Sequence, residues 1–122
     1  MVDSIYLPEM TEIIEATMVS EHEKLFKLRF RDGRPLGHAP CQFVEVSVLG
    51  VGEAPISVSS PPHVTDYFEL CVRACGNLSN ALHQLGPGDM VGIRGPFGNG
   101  VDLDEHVGKD LLFVAGGIGV VP

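Results

Sequence analysis

The residues with most to offer a ligand sit where short apolar runs give way to glycine. In CGNLSNALHQL, residues 75–85, Gly76 and Ser79 stand between a strand pattern and a helix pattern. The first N–H groups of a helix have no partner within it and carry the positive end of its dipole. Such a junction suits an anion, and a glycine lets a phosphate approach the backbone. Ser79 as a plain N-cap accounts for the same residues equally well. A second junction, Gly116, Gly117, Ile118 and Gly119, follows the apolar run LLFVA. Glycine turns after a strand carry a dinucleotide pyrophosphate in open α/β sheets, although this one is shorter than the full G-x-G-x-x-G pattern and also reads as a tight turn. The third stretch is GEAPISVSSPP, residues 52–62. Strand hydroxyls ordinarily face water, but small ones also let a flat ligand lie against the strand edge.

Period-2 patterning supplies the elements that would present these residues. Phe26, Leu28 and Phe30 alternate with Lys27, Arg29 and Arg31, and Val44, Val46 and Val48 with Glu45 and Ser47. Phe68, Leu70 and Val72 alternate with Glu69, Cys71 and Arg73, and Val91 and Ile93 flank Gly92. These runs predict half-buried antiparallel strands. Between them lie RDGRPLGHAP, GVGEAP, SSPPHVTD and LGPGDM, turn chemistry at the spacing of an all-β barrel or sandwich. Only Leu78–Leu85 has helical spacing, so one short helix is expected. A closed barrel would remove exposed strand edges. The tail differs: Lys109 and Asp110 lead into LLFVAGG, which has no alternation and reads as a strand buried on both faces, as in a parallel α/β sheet. The expectation is a complete β domain followed by the first strand and glycine turn of a second, truncated domain.

A chain of 122 residues, 44% hydrophobic, supports one core. Its net charge of −8 argues against a nucleic-acid partner, since that affinity is largely cationic. The N-terminus lacks a basic region, and no apolar run reaches the ~18 residues of a membrane span, so a soluble, cytoplasmic protein is expected. Cys41, Cys71 and Cys75 lack zinc-like spacing and read as reduced thiols, with no metal site. The five His are scattered, without partners at catalytic spacing.

Taken in order over about residues 10–122, GEAPISVSSPP, FELCVRACGNLSNALHQLGPGDMVGIRGPFGNG and DLLFVAGGIGVVP resemble the ferredoxin–NADP reductase superfamily. The likeness is closest to the reductase subunits that accompany hydrogenases, sulfur reductases and dihydroorotate dehydrogenase electron-transfer modules. The resemblance implies a six-stranded antiparallel Greek-key barrel with one short helix, binding FAD, over residues 1–108, and the start of a truncated α/β NAD(P)-binding domain over 109–122. The superfamily's first flavin motif, Arg-x-Tyr-Ser, falls on Ala54, Pro55, Ile56 and Ser57. Ser57 is then the catalytic hydroxyl beside flavin N5, and Pro55, Ile56 and Val58 form the adjoining cofactor contact. Ala54 cannot pair with phosphate, and Ile56 cannot stack as Tyr does. By the same likeness Leu70, Cys71 and Val72 run under the ribityl and flavin, while Gly76, Asn77, Leu78, Ser79 and Asn80 meet the pyrophosphate, with Arg73 adding charge. Cys41 replaces the glycine of the usual PGQFV. Gly95, Pro96, Phe97 and Gly98 close the barrel, and Gly116, Gly117, Ile118 and Gly119 bind the nicotinamide dinucleotide.

The function this implies is transfer of hydride between nicotinamide and FAD and of single electrons to an iron–sulfur or hydrogenase-type subunit. That chemistry needs no general acid or base from the protein. Homodimerisation through the apolar tail is a further expectation. The alternative is a flavin-free barrel serving as a protein-interaction or regulatory module, which neutral Ala54 would suit.

Overall fold

Alternating side chains become strand wherever one face of the chain can be buried, and six segments do so in the computed structural model, which describes residues 4–122. They are β1 (Glu9–Met18), β2 (Glu23–Phe30), β3 (Phe43–Val48), β4 (Gly52–Ser57), β5 (Phe68–Arg73) and β6 (Met90–Phe97), with helix α1 (Asn77–His83) between β5 and β6. Strand β1 is not marked by simple alternation, and a bulge is the reason. Ile13 pairs with Leu28 but Glu15 with Lys27, so Ile14 is an extra residue that shifts the inward-facing positions from Thr11 and Ile13 to Ala16.

All pairings are antiparallel, in the order β4-β3-β6-β1-β2-β5. Inward residues from every ladder fill the core, among them Ile13, Phe26, Leu28, Val46, Leu70 and Ile93. Leu82 of α1 joins them. Two bonds to β2 fasten the end of α1: the Lys24 ammonium donates to the carbonyls of His83 at 2.9 Å and Leu85 at 3.0 Å, a cation placed at a helix C-terminus. His83 Nε2 donates to the Val72 carbonyl at 2.7 Å, tying the helix to β5 as well.

The closed barrel expected from sequence is closed at one point only. Edge strands β4 and β5 approach each other, and a single bridge, Val58 with Leu70, spans the seam. Pro61 and Pro62 follow at once on the β4 side, and with no N–H to offer they cannot extend a ladder.

The tail also departs from expectation. Leu111, Leu112, Phe113 and Val114 are exposed and join no sheet, so LLFVA is unpaired extended chain in place of a strand. Ladder hydrogen bonds, not apolar side chains, make a strand, and these residues have no partner edge. A 3₁₀ turn at Ile118–Val120 then brings the chain back towards β4 and β5. Among the described residues no helix is long and apolar enough to cross a membrane.

Cys41 has φ 69°, a left-handed conformation at the very position where the PGQFV pattern has glycine. The turn is therefore kept, at a cost of about 1–2 kcal/mol for a residue with a Cβ.

On the outer face Arg94 of β6 reaches across β3 to β4. Its Nε and Nη2 donate to the two oxygens of Glu53 at 2.8 and 2.6 Å, and its Nη1 to the Ile5 carbonyl at 2.6 Å. The Arg94 hydrogen bonds hold the Glu53 carboxyl below its ordinary value of 4.5. A carboxyl depressed in the folded chain contributes stability that is present above its unfolded pKa and lost as pH falls through its folded one. We expect Glu53→Gln to lower the melting temperature at neutral pH, with the gap to wild type closing as pH falls through and below the ordinary glutamate value of 4.5. A gap of constant size across that fall would show that ionisation of Glu53 contributes nothing.

Candidate functional site

The seam between β4 and β5 is zipped at one end and open at the other. At the zipped end Ser59 N–H donates to the Glu69 carbonyl at 2.9 Å, and Glu69 N–H donates to Ser60 Oγ at 2.9 Å. Val58 N–H turns the other way, to the Gln42 carbonyl at 3.0 Å. Alternate residues of an extended chain present their backbone groups to the same side. Ser57 on β4, and Cys71 and Arg73 on β5, therefore turn main-chain groups toward the seam, and beyond the Val58–Leu70 bridge the two strands form no further ladder among the described residues. Pro55 belongs to the same row, so its missing N–H falls on the open side of an edge strand.

Side chains and tail convert this gap into a cleft of about 270 Å³. Pro55, Ile56 and Ser57 form one wall and Cys71, Val72, Arg73 and Cys75 the other, with Ile118, Gly119, Val121 and Pro122 alongside. Burial, and then the charge of Glu23, push the Cys71 thiol above its ordinary value. The side chain is therefore a neutral, compact thiol in that wall. Arg73 is exposed and lies 3.6 Å from Glu23.

The structure sorts the residues singled out from sequence. Pro55, Ile56, Ser57, Cys71 and Arg73 border the cleft with their side chains at least partly accessible. Val58, Leu70, Val72 and Leu78 are core residues, so they have only main chain to offer a ligand. Strand alternation is the cause on β5, where Leu70 and Val72 point inward and Cys71 and Arg73 outward. Of the second glycine cluster, Ile118 and Gly119 reach the cleft, while Gly116 and Gly117 remain exposed outside it.

Ser79 differs from the N-cap expectation. Gly76 is the N-cap, and Ser79 lies three residues into α1 with its hydroxyl turned back to accept from the N–H groups of Cys75 and Gly76, each at 2.9 Å. That hydroxyl is already occupied in shaping the turn. The free donors are instead the N–H groups of Asn77, Leu78 and Ser79, which meet no acceptor among the described residues. Asn80 N–H closes the first helical bond, to the Gly76 carbonyl at 2.9 Å. A Cβ built on Gly76 meets no atom within 4 Å, so the approach to these donors is clear. Ser59 Oγ, at the zipped end, is buried without a partner among the described residues.

This donor set fits a flavin dinucleotide. An apolar wall of Pro55 and Ile56, the small hydroxyl of Ser57 and the cation of Arg73 line a cleft that reaches Cys75, next to the Gly76 N-cap and the N–H groups at the start of α1. The cleft is smaller than the roughly 300–1,000 Å³ of pockets that enclose a whole drug-sized ligand. It therefore accommodates part of such a cofactor, and the rest would lie along the open face beside α1. His38 and Gln42, which sequence reasoning passed over, grip the zipped end from the loop before β3. No spacing signal marks them, because their partners are main-chain atoms distant in sequence.

Comparison with known proteins bears on the family and the fold. The family model described as "Oxidoreductase FAD-binding domain" matches residues 10–101. The chain is 42% identical over 123 residues to the sulfhydrogenase 1 subunit gamma of Pyrococcus furiosus, covering 98% of this chain and 42% of that protein. It is 38% identical over 120 residues to a probable dihydroorotate dehydrogenase B (NAD(+)), electron transfer subunit, of Methanothermobacter thermautotrophicus, covering 98% and 43%. The chain thus spans about two fifths of the length of these curated relatives. Among solved structures, the Amycolatopsis cytochrome P450 reductase GcoB shares the fold with a TM-score of 0.71 at 22% identity, over 84% of this chain and 31% of that one. Phthalate dioxygenase reductase does so with a TM-score of 0.66 at 17% identity, over 74% and 30%. With a family model matched over most of its length and relatives of this identity, the chain belongs to the oxidoreductase FAD-binding domain family.

Proposed function

We propose that this chain is the flavin-holding part of an NAD(P)H-linked reductase that passes electrons to an iron–sulfur or hydrogenase-type subunit. The observation that carries the reading is the half-open β4–β5 seam, whose cleft is lined by Pro55, Ile56, Ser57, Cys71 and Arg73 and reaches Cys75, one residue before the Gly76 N-cap of α1 and the N–H groups that follow it. The names of the sulfhydrogenase and dihydroorotate dehydrogenase relatives support the electron-transfer role. Residues 1–108 form the FAD-binding unit in this reading, and residues 109–122 begin a nicotinamide-binding unit with Gly116, Gly117, Ile118 and Gly119 as its dinucleotide turn. The exposed run Leu111–Val114 supports pairing of that segment with a partner sheet or a second copy. The free thiols of Cys41, Cys71 and Cys75 favour a reducing compartment, in keeping with the cytoplasm.

FAD, when bound, supplies hydride exchange with a nicotinamide and stepwise one-electron release. The protein's own residues bind, orient and exclude water. Pro55 and Ile56 provide an apolar wall, and the protonated Cys71 thiol continues it without adding charge. Ser57 places a small hydroxyl and a main-chain N–H at the mouth of the cleft. Gly76, Asn77, Leu78, Ser79 and Asn80 present the start of α1 to the pyrophosphate, with Arg73 as the nearby cation in place of the arginine missing at Ala54. Exchanging Glu23 for phosphate as its partner would leave Arg73 charge-paired throughout.

Titration with FAD tests this. The chain is expected to quench flavin fluorescence at one equivalent and to turn yellow, yet to oxidise NADH negligibly by itself, because a flavin left partly wet lacks a complete nicotinamide site. A colourless protein that leaves FAD fluorescence unchanged would sink the reading and favour a flavin-free interaction module. Rapid NADH oxidation by these 122 residues would show that the nicotinamide site is complete within them.

A further inference from the structure

We propose that His38 is a positioning residue that holds the zipped end of the β4–β5 seam and thereby sets the width of the flavin cleft. This rests on the FAD reading given above. The imidazole is 6% exposed, and its Nε2 lies 2.8 Å from the Ser60 carbonyl. A carbonyl only accepts, so Nε2 carries the proton. Ser60 is the last residue at which the main chain of this strand has an N–H before Pro61 and Pro62. Beyond it those two residues have no N–H to give a ladder, and the Pro61 carbonyl is taken by Val64 N–H at 3.1 Å, so side chains supply the bonds that fasten Ser60. The Ser60 carbonyl takes the His38 proton, while Ser60 Oγ accepts from Glu69 N–H across the seam.

The loop that carries His38 is itself held firmly. Ala39 N–H donates to Gln42 Oε1 at 2.8 Å, Gln42 Nε2 donates to the Gly98 carbonyl at 2.7 Å, and Val101 N–H donates to the Pro40 carbonyl at 2.8 Å. A Cβ on Gly100 would come within 2.8 Å of Ala39 Cβ, so the segment after β6 lies hard against this loop. Through Gln42 the loop accepts from Val58 N–H, and through His38 it holds Ser60. It thus grips both neighbours of Ser59, two residues beyond Ser57. The effect of His38 on a ligand passes through Ser60 and Ser59 to Ser57, without contact between imidazole and cofactor.

The test compares His38→Leu, which keeps bulk but has no donor, with His38→Gln, whose amide N–H can replace Nε2–H, and with Ser60→Ala, which cuts the same seam from its other side. Amide hydrogen exchange of the chain without FAD reads the seam directly. In His38→Leu the amides of Ser59 and Glu69 are expected to exchange about tenfold faster, with β1–β2 amides unchanged, as for loss of one buried hydrogen bond. His38→Gln restores slow exchange. FAD affinity falls about tenfold in His38→Leu and in Ser60→Ala, with an altered visible circular dichroism of the bound flavin, and stays near wild type in His38→Gln. Unchanged exchange at Ser59 and Glu69 in His38→Leu would overturn the proposal. So would equal losses in His38→Leu and His38→Gln, which would assign the effect to ring shape alone. If His38→Leu does not fold, Ser60→Ala with wild-type exchange and affinity overturns it equally. Failure of the wild-type chain to bind FAD would sink the cofactor reading, and the exchange rates would still decide whether His38 holds the seam.

Discussion

Gly76→Val is expected to lower FAD affinity at least tenfold while costing the folded chain about 1 kcal/mol or less. Gly76 has φ −156° and ψ −175°, an extended conformation that valine adopts freely, and no atom lies within 4 Å of where its Cβ would be. The only penalty to folding is a poorer N-cap residue. Its side chain would, however, stand over the unpaired N–H groups of Asn77 and Leu78, where a phosphate must come close to the backbone. Affinity and stability therefore separate at this position. They do not separate at Ser79, whose hydroxyl holds the Cys75 and Gly76 amides, so a loss of binding there would mix a deformed turn with a lost contact. Removing the Ser57 hydroxyl is expected to cost about 1 kcal/mol of binding, roughly fivefold, less than Gly76→Val. Fluorescence titration of FAD alongside thermal melts of the chain without it provides both readings. A Gly76→Val protein that binds as tightly as wild type would place the pyrophosphate elsewhere than at α1.

The largest effect on stability is expected from Phe26→Ala, at about 3–5 kcal/mol. Phe26 is among the largest side chains fully enclosed by the core. The His83 imidazole meets its ring nearly edge-on at 6.3 Å, and the Lys24 ammonium lies 5.4 Å from its centroid. Both neighbours are the anchors of α1, so a cavity here loosens β2 and the helix together. Against a total of about 5–15 kcal/mol for a domain, such a loss is a third or more of the whole in most cases. Urea unfolding measures it directly, and a shift below about 1.5 kcal/mol would mean that the surrounding side chains collapse into the space. FAD should recover part of the loss by mass action, since it binds the folded chain.

Strands β2, β3, β5 and β6 and helix α1 were legible because side-chain periodicity is a local property: each run records which of its own faces is buried. The junction of β5 with α1 was legible for the same reason, since a change of period, a glycine and a small polar residue lie next to one another. Where two segments must find each other, sequence was silent. The extra residue at Ile14 breaks the period of β1, and only pairing with β2 shows that the strand continues. Alternation marks Leu70 and Val72 as the buried face of β5, but only the assembled sheet shows that Cys71 and Arg73, on its other face, border a cleft beside β4. The Ser79 hydroxyl went to its own turn, and His38 found the Ser60 carbonyl 22 positions away, through bonds that no spacing rule encodes. The apolar run after Asp110 signals a buried strand, yet a strand exists only with a partner edge, and here none is in reach. Sequence by itself therefore determined the elements and the residue types able to meet a flavin. Tertiary structure decided which of them face the cleft, because two edge strands meet at one bridge, Val58 with Leu70, and on its open side Pro55 has no N–H to carry a ladder further.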